Sequence, residues 1–352
     1  MELKKLVEKR LPVIKDFYKS KCGALINVSS VASFNEKKAR PLSDWNFPFE
    51  LYTYLDTIIE TAEQHWKQRD GIDDDLLPSV CPWFGIAEHS AVMGGDMHFT
   101  DITSFQIPFV TGWDKLDSIV LSEDNKWFKI LMDSFRYIRE KTEGRFLVRL
   151  RGGESPLDMA NAIRGNVIFT DMYDYSDELK KLLDICEKGL RWYFEHQKKN
   201  SGELDGGWIS GYSVWMPGNS AGHLSEDATV MCSPAMYREF GKSYTERFCA
   251  AHDNVMIHLH GAGRHAFKEI AGIPQFTIIE LTNDPKSPGG IELFKEYENI
   301  FENKIIMLHL TGKEFEENRN FLASKKIIVD YAARSVEDAA AMIKSVRDLH
   351  GG

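Results

Sequence analysis

The chain has 352 residues, 43% hydrophobic and 27% charged, an ordinary globular composition with room for one large α/β barrel or two medium domains. Its formal charge of −10 argues against nucleic acid as a partner, because nucleic-acid binders carry a basic face. No run reaches the ~18 uncharged apolar residues that cross a bilayer, and five scattered cysteines without a C-x-x-C pair suit free thiols in a reducing cytoplasm.

The first 21 residues are amphipathic with no continuous apolar core, so they do not read as a secretory signal. Residues 1–75 read as helical, a cap on the remainder of the chain rather than a separate domain. From about Gly144 onward, short β-branched runs alternate with longer helical patterns. Residues 145–150 form a strand pattern, 156–164 a helix, and 176–196 a long helix whose apolar positions recur at three and four. Its start, Ser176 followed by two acids, is an N-cap signal. Helix 234–251 leads to a strand at 254–260. Strand 276–281, helix 291–301, strand 304–310, helix 313–322, strand 326–330 and helix 335–349 complete the alternation. Such alternation predicts a parallel sheet, and its extent predicts a (β/α)8 TIM barrel with a helical N-terminal cap. No linker or repeat divides the chain, so 1–352 is read as one domain.

The strand at 254–260 ends Ile-His-Leu-His and runs into Gly261. Side chains alternate along a strand, so His258 and His260 share one face while Val255, Ile257 and Leu259 take the other. A pair of hydrogen-bonded core histidines and an active-site pair both fit this pattern. The other strands also end in ionisable groups: Arg149 and Arg151, Glu280, His309 and Asp330. In α/β barrels that edge carries the catalytic groups.

Three segments together resemble the uroporphyrinogen decarboxylase superfamily, and specifically its corrinoid-dependent methyltransferase-like branch. The first is Gly153-Glu-Ser-Pro-Leu-Asp-Met-Ala-Asn-Ala-Ile-Arg-Gly165, running on through Asp171 to Leu179. The second runs from His223 through Glu226, Asp227 and Ser233-Pro234 to Phe240. The third is the His258 strand, which sits where family members carry histidine-x-cysteine-glycine. The resemblance covers about residues 113–347 and implies a barrel, usually paired as a homodimer. The arginine-rich N-terminal motif that holds porphyrin carboxylates is not visible; Leu42-Ser-Asp-Trp-Asn-Phe47 stands near the start instead. The zinc-binding cysteines of the methyltransferases are also missing, since no cysteine follows Cys249.

The resemblance implies a divalent metal, zinc first, held by His258 and His260 with Glu280 or Asp330 as an oxygen ligand. The reaction implied is transfer of a methyl group from a small O-methyl or N-methyl donor to a corrinoid carried by a partner protein. Without metal, the same histidines would serve as acid and base, with Arg149 or Arg151 holding a carboxylate, in a decarboxylase or lyase. A non-catalytic small-molecule binding barrel is the remaining alternative. Asp227 could orient the substrate or a metal-bound histidine, and His223, on a loop, could reach the same site. His309 is a further candidate for catalysis, and Trp208, Tyr212 and Trp215 for an aromatic substrate wall.

Overall fold

The computed structural model describes residues 3–36 and 38–350. Its centre is a seven-stranded, wholly parallel sheet. The strands are named in chain order: β1 (Gly23–Val31), β2 (Ser79–Val80), β3 (Leu147–Val148), β4 (Gly153–Glu154), β5 (His223–Ser225), β6 (Val255–Leu259), β7 (Phe276–Leu281), β8 (Ile305–His309) and β9 (Lys326–Ala333). In space the main sheet runs β1, β9, β8, β7, β6, β5, β4, while β2 and β3 form a separate parallel pair. β3 lies four residues before β4, so one run of chain borders both sheets. On the free edge of β1, the Asp75 amide donates to the Ile26 carbonyl (2.8 Å), and the Asp75 and Asp74 carboxylates accept from the Ile26 and Val28 amides (2.8 Å each).

The expected alternation is present from residue 144 on, with strands 276–281 and 326–330 and helix 156–164 close to where the pattern places them. The expectation for residues 1–75 needs correction. Leu3–Lys19 and Leu51–Lys67 are helices, but β1 between them is a full member of the main sheet, paired with β9 along its length. The N-terminal segment is therefore part of the core and not a helical cap. Its apolar run, residues 24–26, is short, and a short apolar run fits a buried strand or a helix turn equally well.

The two faces of the sheet bury different things. One face (Ile257, Leu259, Ile279, Leu281, Ile306, Leu308, Ile327, Val329) packs under the connecting helices. The other begins apolar, with Leu25, Met256, Ile278, Ile305, Met307 and Ile328 gathered against Leu11, Ile14 and Phe17 of the first helix. Two residues further along the same face come Asn27, His258, Glu280, His309 and Asp330. Period-two alternation thus seals one end of this face with hydrocarbon and leaves polar groups at the C-terminal end. Register aligns them: His258 pairs with Glu280 and with Ser225, and Asp330 with His309 and Asn27. Among the described residues, no helix is long and apolar enough to cross a membrane.

Candidate metal centre

His258 and His260 project from the same face of β6, as the alternation requires. The His258 ring is fixed at Nδ1, which lies against a Glu280 oxygen and 2.8 Å from the Tyr212 hydroxyl. Tyr212 also stacks on this ring, with centroids 5.7 Å apart. His260 is fixed in the same way: its Nδ1 lies 2.8 Å from Asp284 Oδ1, and the other Asp284 oxygen accepts from the Gly261 amide (3.1 Å). The two Nε2 atoms then face each other at 3.1 Å. Asp227 Oδ1 lies 3.5 Å from His260 Nε2, and the three ligand atoms of Asp227, His258 and His260 all fall within 4.8 Å of one another.

This geometry fixes the tautomers. A carboxylate can only accept, so each Nδ1 carries the proton it shares with Glu280 or Asp284, and in the neutral ring each Nε2 is then a lone pair. Two lone pairs pointed at each other across 3.1 Å repel unless a cation lies between them. A proton meets that need, and so does a metal ion. With zinc–nitrogen bonds of 2.0–2.1 Å and a tetrahedral angle, two ligating nitrogens stand about 3.3 Å apart. The observed spacing fits, and a carboxylate behind each ligating imidazole is the usual outer support of such sites.

Glu280 and Asp330, expected as the third ligand, are placed otherwise. Glu280 is fully buried, one oxygen against His258 Nδ1 and the other 2.5 Å from His309 Nε2. Asp330 accepts from His309 Nδ1 (2.9 Å) and from the Ser29 hydroxyl (3.1 Å). Both carboxylates are spent on imidazoles, and the oxygen that meets the ligand nitrogens belongs to Asp227. Burial disfavours the charged form of His309, but hydrogen bonds and charge from Asp330 and Glu280 outweigh it and raise its pKa to about 10. His309 is therefore an imidazolium clamped between two carboxylates, poorly suited to act as a general base. Burial works against the Glu280 charge, yet the His258 and His309 hydrogen bonds hold its pKa below the ordinary value.

The turn that carries Asp227 is braced from below. Asp158 accepts from the Asp227 and Ala228 amides (2.8 and 2.7 Å) and from the Ser225 hydroxyl (3.2 Å). Glu226 accepts from the hydroxyls of Tyr237 and Thr245 (3.0 and 2.6 Å). Asp158 and Glu226 lie in segments singled out by the family resemblance, but nothing in the sequence assigned them this bracing. Asp284 was also missed. It lies three residues past β7, where the rule that polar groups gather at strand exits could have found it.

The remaining candidates separate cleanly. His223 is a strand residue, not a loop residue; its ring meets Tyr212 edge-on at 4.8 Å and lies over Gly152, where a Cβ would come within 2.1 Å of it. Burial first, then the charge of Arg151, depress its pKa to about 3, so it is a neutral imidazole. Arg151 is committed to a buried ion pair with Glu88 and to the Gly85 carbonyl (2.7 Å), so its charge is already answered within the protein. Arg149 reaches the Gly211 carbonyl (3.2 Å) and the Ser213 hydroxyl. The expected aromatic wall reduces to Tyr212. Trp208 and Trp215 sit on opposite arms of the hairpin Gly207–Ile209 with Trp215–Pro217. Trp215 is buried beside the first helix, edge-on to Tyr18 at 5.8 Å with its indole donating to the Leu204 carbonyl, while Trp208 lies under the Lys198 ammonium. Only the hairpin's tip, at Tyr212, bends over to His258. No protein-family model matches the chain, and no curated protein matches its sequence.

Proposed function

We propose that this chain is a metal-dependent enzyme on a (β/α)8 barrel, which moves a methyl group from a small O-methyl or N-methyl donor to a corrinoid carried by a separate protein. The observation that carries the metal is the 3.1 Å approach of two Nε2 atoms whose opposite ring nitrogens are each committed to a carboxylate. The contacts of β1 with Asp74 and Asp75 and the adjacency of β3 to β4 support closure of the sheet into a barrel. The methyl-transfer assignment rests on the family resemblance of residues 153–179, 223–240 and 254–263.

A dication held by His258, His260 and Asp227 would polarise a donor oxygen or nitrogen as a Lewis acid, making it a better leaving group. Two imidazole nitrogens and one carboxylate oxygen suit zinc and also admit iron, manganese or nickel. Glu280 and Asp284 hold the ligating tautomers, and Tyr212 fixes the His258 ring while covering the site. Neutral His223 keeps the floor uncharged. The decarboxylase alternative loses one of its two candidate arginines, because Arg151 is neutralised by Glu88.

Elemental analysis of protein purified without added metal tests the first half of the proposal. His258→Ala and His260→Ala should each lose the metal while the fold, read by circular dichroism, persists. Methylation of cob(I)alamin from O-methyl and N-methyl donors tests the second half. Full activity in metal-free protein would overturn the whole reading. A metal-bound protein inert toward cobalamin would overturn only the assigned reaction.

A further inference from the structure

Arg149, half-buried, differs from the protein's buried and ion-paired arginines. Arg10 and Arg69 both pair with Asp74, Arg151 with Glu88 and Arg164 with Asp171. Among the described residues Arg149 forms no ion pair with a carboxylate, and the like charge of Arg151 bears on it. One terminal nitrogen, Nη1, is used by the Gly211 carbonyl and the Ser213 hydroxyl. Its Nε is buried and has no hydrogen-bond partner. A guanidinium does not give up its proton in proteins, so it cannot escape this cost by neutralising.

This group lines a cavity of about 320 Å³ next to the candidate metal centre. Tyr212, Ser213 and Asp330 continue its polar wall, and Ile58, Trp66 and Val80 supply an apolar one. Tyr212 belongs to both places, since its hydroxyl meets His258 Nδ1. Nε is closed off and Nη1 is occupied, so Nη2 is the nitrogen Arg149 offers the cavity, and a charge-assisted hydrogen bond from it to a carboxylate is roughly twice as strong as one between neutral groups. A single unpaired positive charge also suits a monoanion better than a phosphate dianion.

We propose that Arg149 anchors a carboxylate-binding subsite, so that the substrate is a small molecule with an apolar body and a carboxylate remote from its reacting end. The subsite itself stands on the cavity and on Arg149; that its occupant is the methyl donor rests on the function proposed above.

Calorimetric titration of the metal-free protein with benzoate and with its uncharged isostere benzamide tests the subsite directly. Benzoate should bind roughly tenfold or more tightly than benzamide, the range for a hydrogen bond to a charged group. Arg149→Met should erase that preference, with thermal stability unchanged or raised because an unpaired, half-buried charge is gone, and with zinc uptake unaltered. Arg149→Lys, which keeps the charge but not the position of Nη2, should fall between. Equal binding of the two probes, no binding of either, or a preference that persists in Arg149→Met would each overturn the subsite. The wild-type comparison needs no variant, so the proposal can fail even where Arg149→Met does not fold. Zinc uptake reports the metal reading separately: a protein that prefers benzoate but takes up no zinc keeps the subsite and loses the metal.

Discussion

Asp284→Asn is the sharpest test of the proposed metal centre, because it leaves all three candidate ligands in place. Asp284 uses both oxygens, one on His260 Nδ1 and one on the Gly261 amide. An asparagine has a single acceptor oxygen. If that oxygen stays with Gly261, the amide NH2 faces His260 Nδ1 and turns it into an acceptor. The ring proton then moves to Nε2 and the ligand lone pair is lost. If the oxygen turns to His260 instead, the NH2 opposes the Gly261 N–H and strands that amide. Either way the ligating tautomer costs more to hold. Loss of such an outer partner weakens metal binding 10–100-fold, about 1.4–2.8 kcal/mol. Zinc titration against a competing chelator reads this directly. The control is Asp330→Asn, which acts on His309 rather than on His258 or His260 and should leave zinc affinity within about threefold, well short of the 10-fold that an outer partner is worth. Equal affinity in wild type and Asp284→Asn, or a larger loss from Asp330→Asn, would refute the assignment of ligands and restore Asp330 as a candidate.

Three further outcomes are expected from the same geometry. His309→Gln removes the cation paired with Glu280, leaving it the His258 hydrogen bond, and should lower unfolding stability by about 3 kcal/mol in urea titrations, the low end for breaking a buried pair because that bond remains and the His309 side chain keeps 30% exposure. The folded protein holds the His309 proton up to about pH 10 while the unfolded chain releases it near 6.5, so wild-type stability should fall across that window and the variant should lack this fall. Burial, and then the charge of Asp227, raise the Glu154 pKa from 4.5 to about 8; stability should drop as pH rises between those values, and Glu154→Gln should flatten the drop in urea midpoints measured across the window. Trp215→Ala should cost about 3–5 kcal/mol by emptying a packed position beside the first helix, yet leave zinc content unchanged, whereas loss of zinc would return Trp215 to the site.

The legible part of the sequence came from short-range periodicity. His258 and His260 share a face because strand alternation has a period of two, and the polar C-terminal ends of the apolar runs picked out Glu280, His309 and Asp330, although β9 continues three residues past Asp330. Which of these groups faces the gap between the two Nε2 atoms, and which supports a ring, was not legible, because that depends on partners in neighbouring strands. Glu280 is opposite His258 in register, and its second oxygen meets His309 from the next strand over. One residue of slip in either pairing would send these side chains to the other face. The aromatic wall failed for a related reason. Trp208, Tyr212 and Trp215 are close in sequence, but a hairpin divides them between two arms and a tip, and only the tip faces the site. β1 was missed because its apolar run is short and its neighbour in the sheet, β9, lies about 300 residues away.

The charge balance at the strand ends explains why so much carboxylate surrounds three imidazoles. Asp227, Glu280, Asp284 and Asp330 bring four formal negative charges, and the His309 imidazolium returns one. With His258 and His260 neutral, the cluster is left three charges negative. A proton shared between the two Nε2 atoms removes one of these, and a dication removes two. His258 already reflects the demand: burial opposes its protonation, but the Glu280 hydrogen bond and charge raise its pKa above the usual value. Proton and metal therefore compete for the same gap between the same two nitrogens. The dication has the electrostatic advantage, because it answers more of the deficit and adds the Asp227 oxygen as a third contact that a shared proton does not need. On this argument Asp284 and Glu280 do more than orient rings: they concentrate negative charge behind two neutral donors, which favours a dication at their convergence.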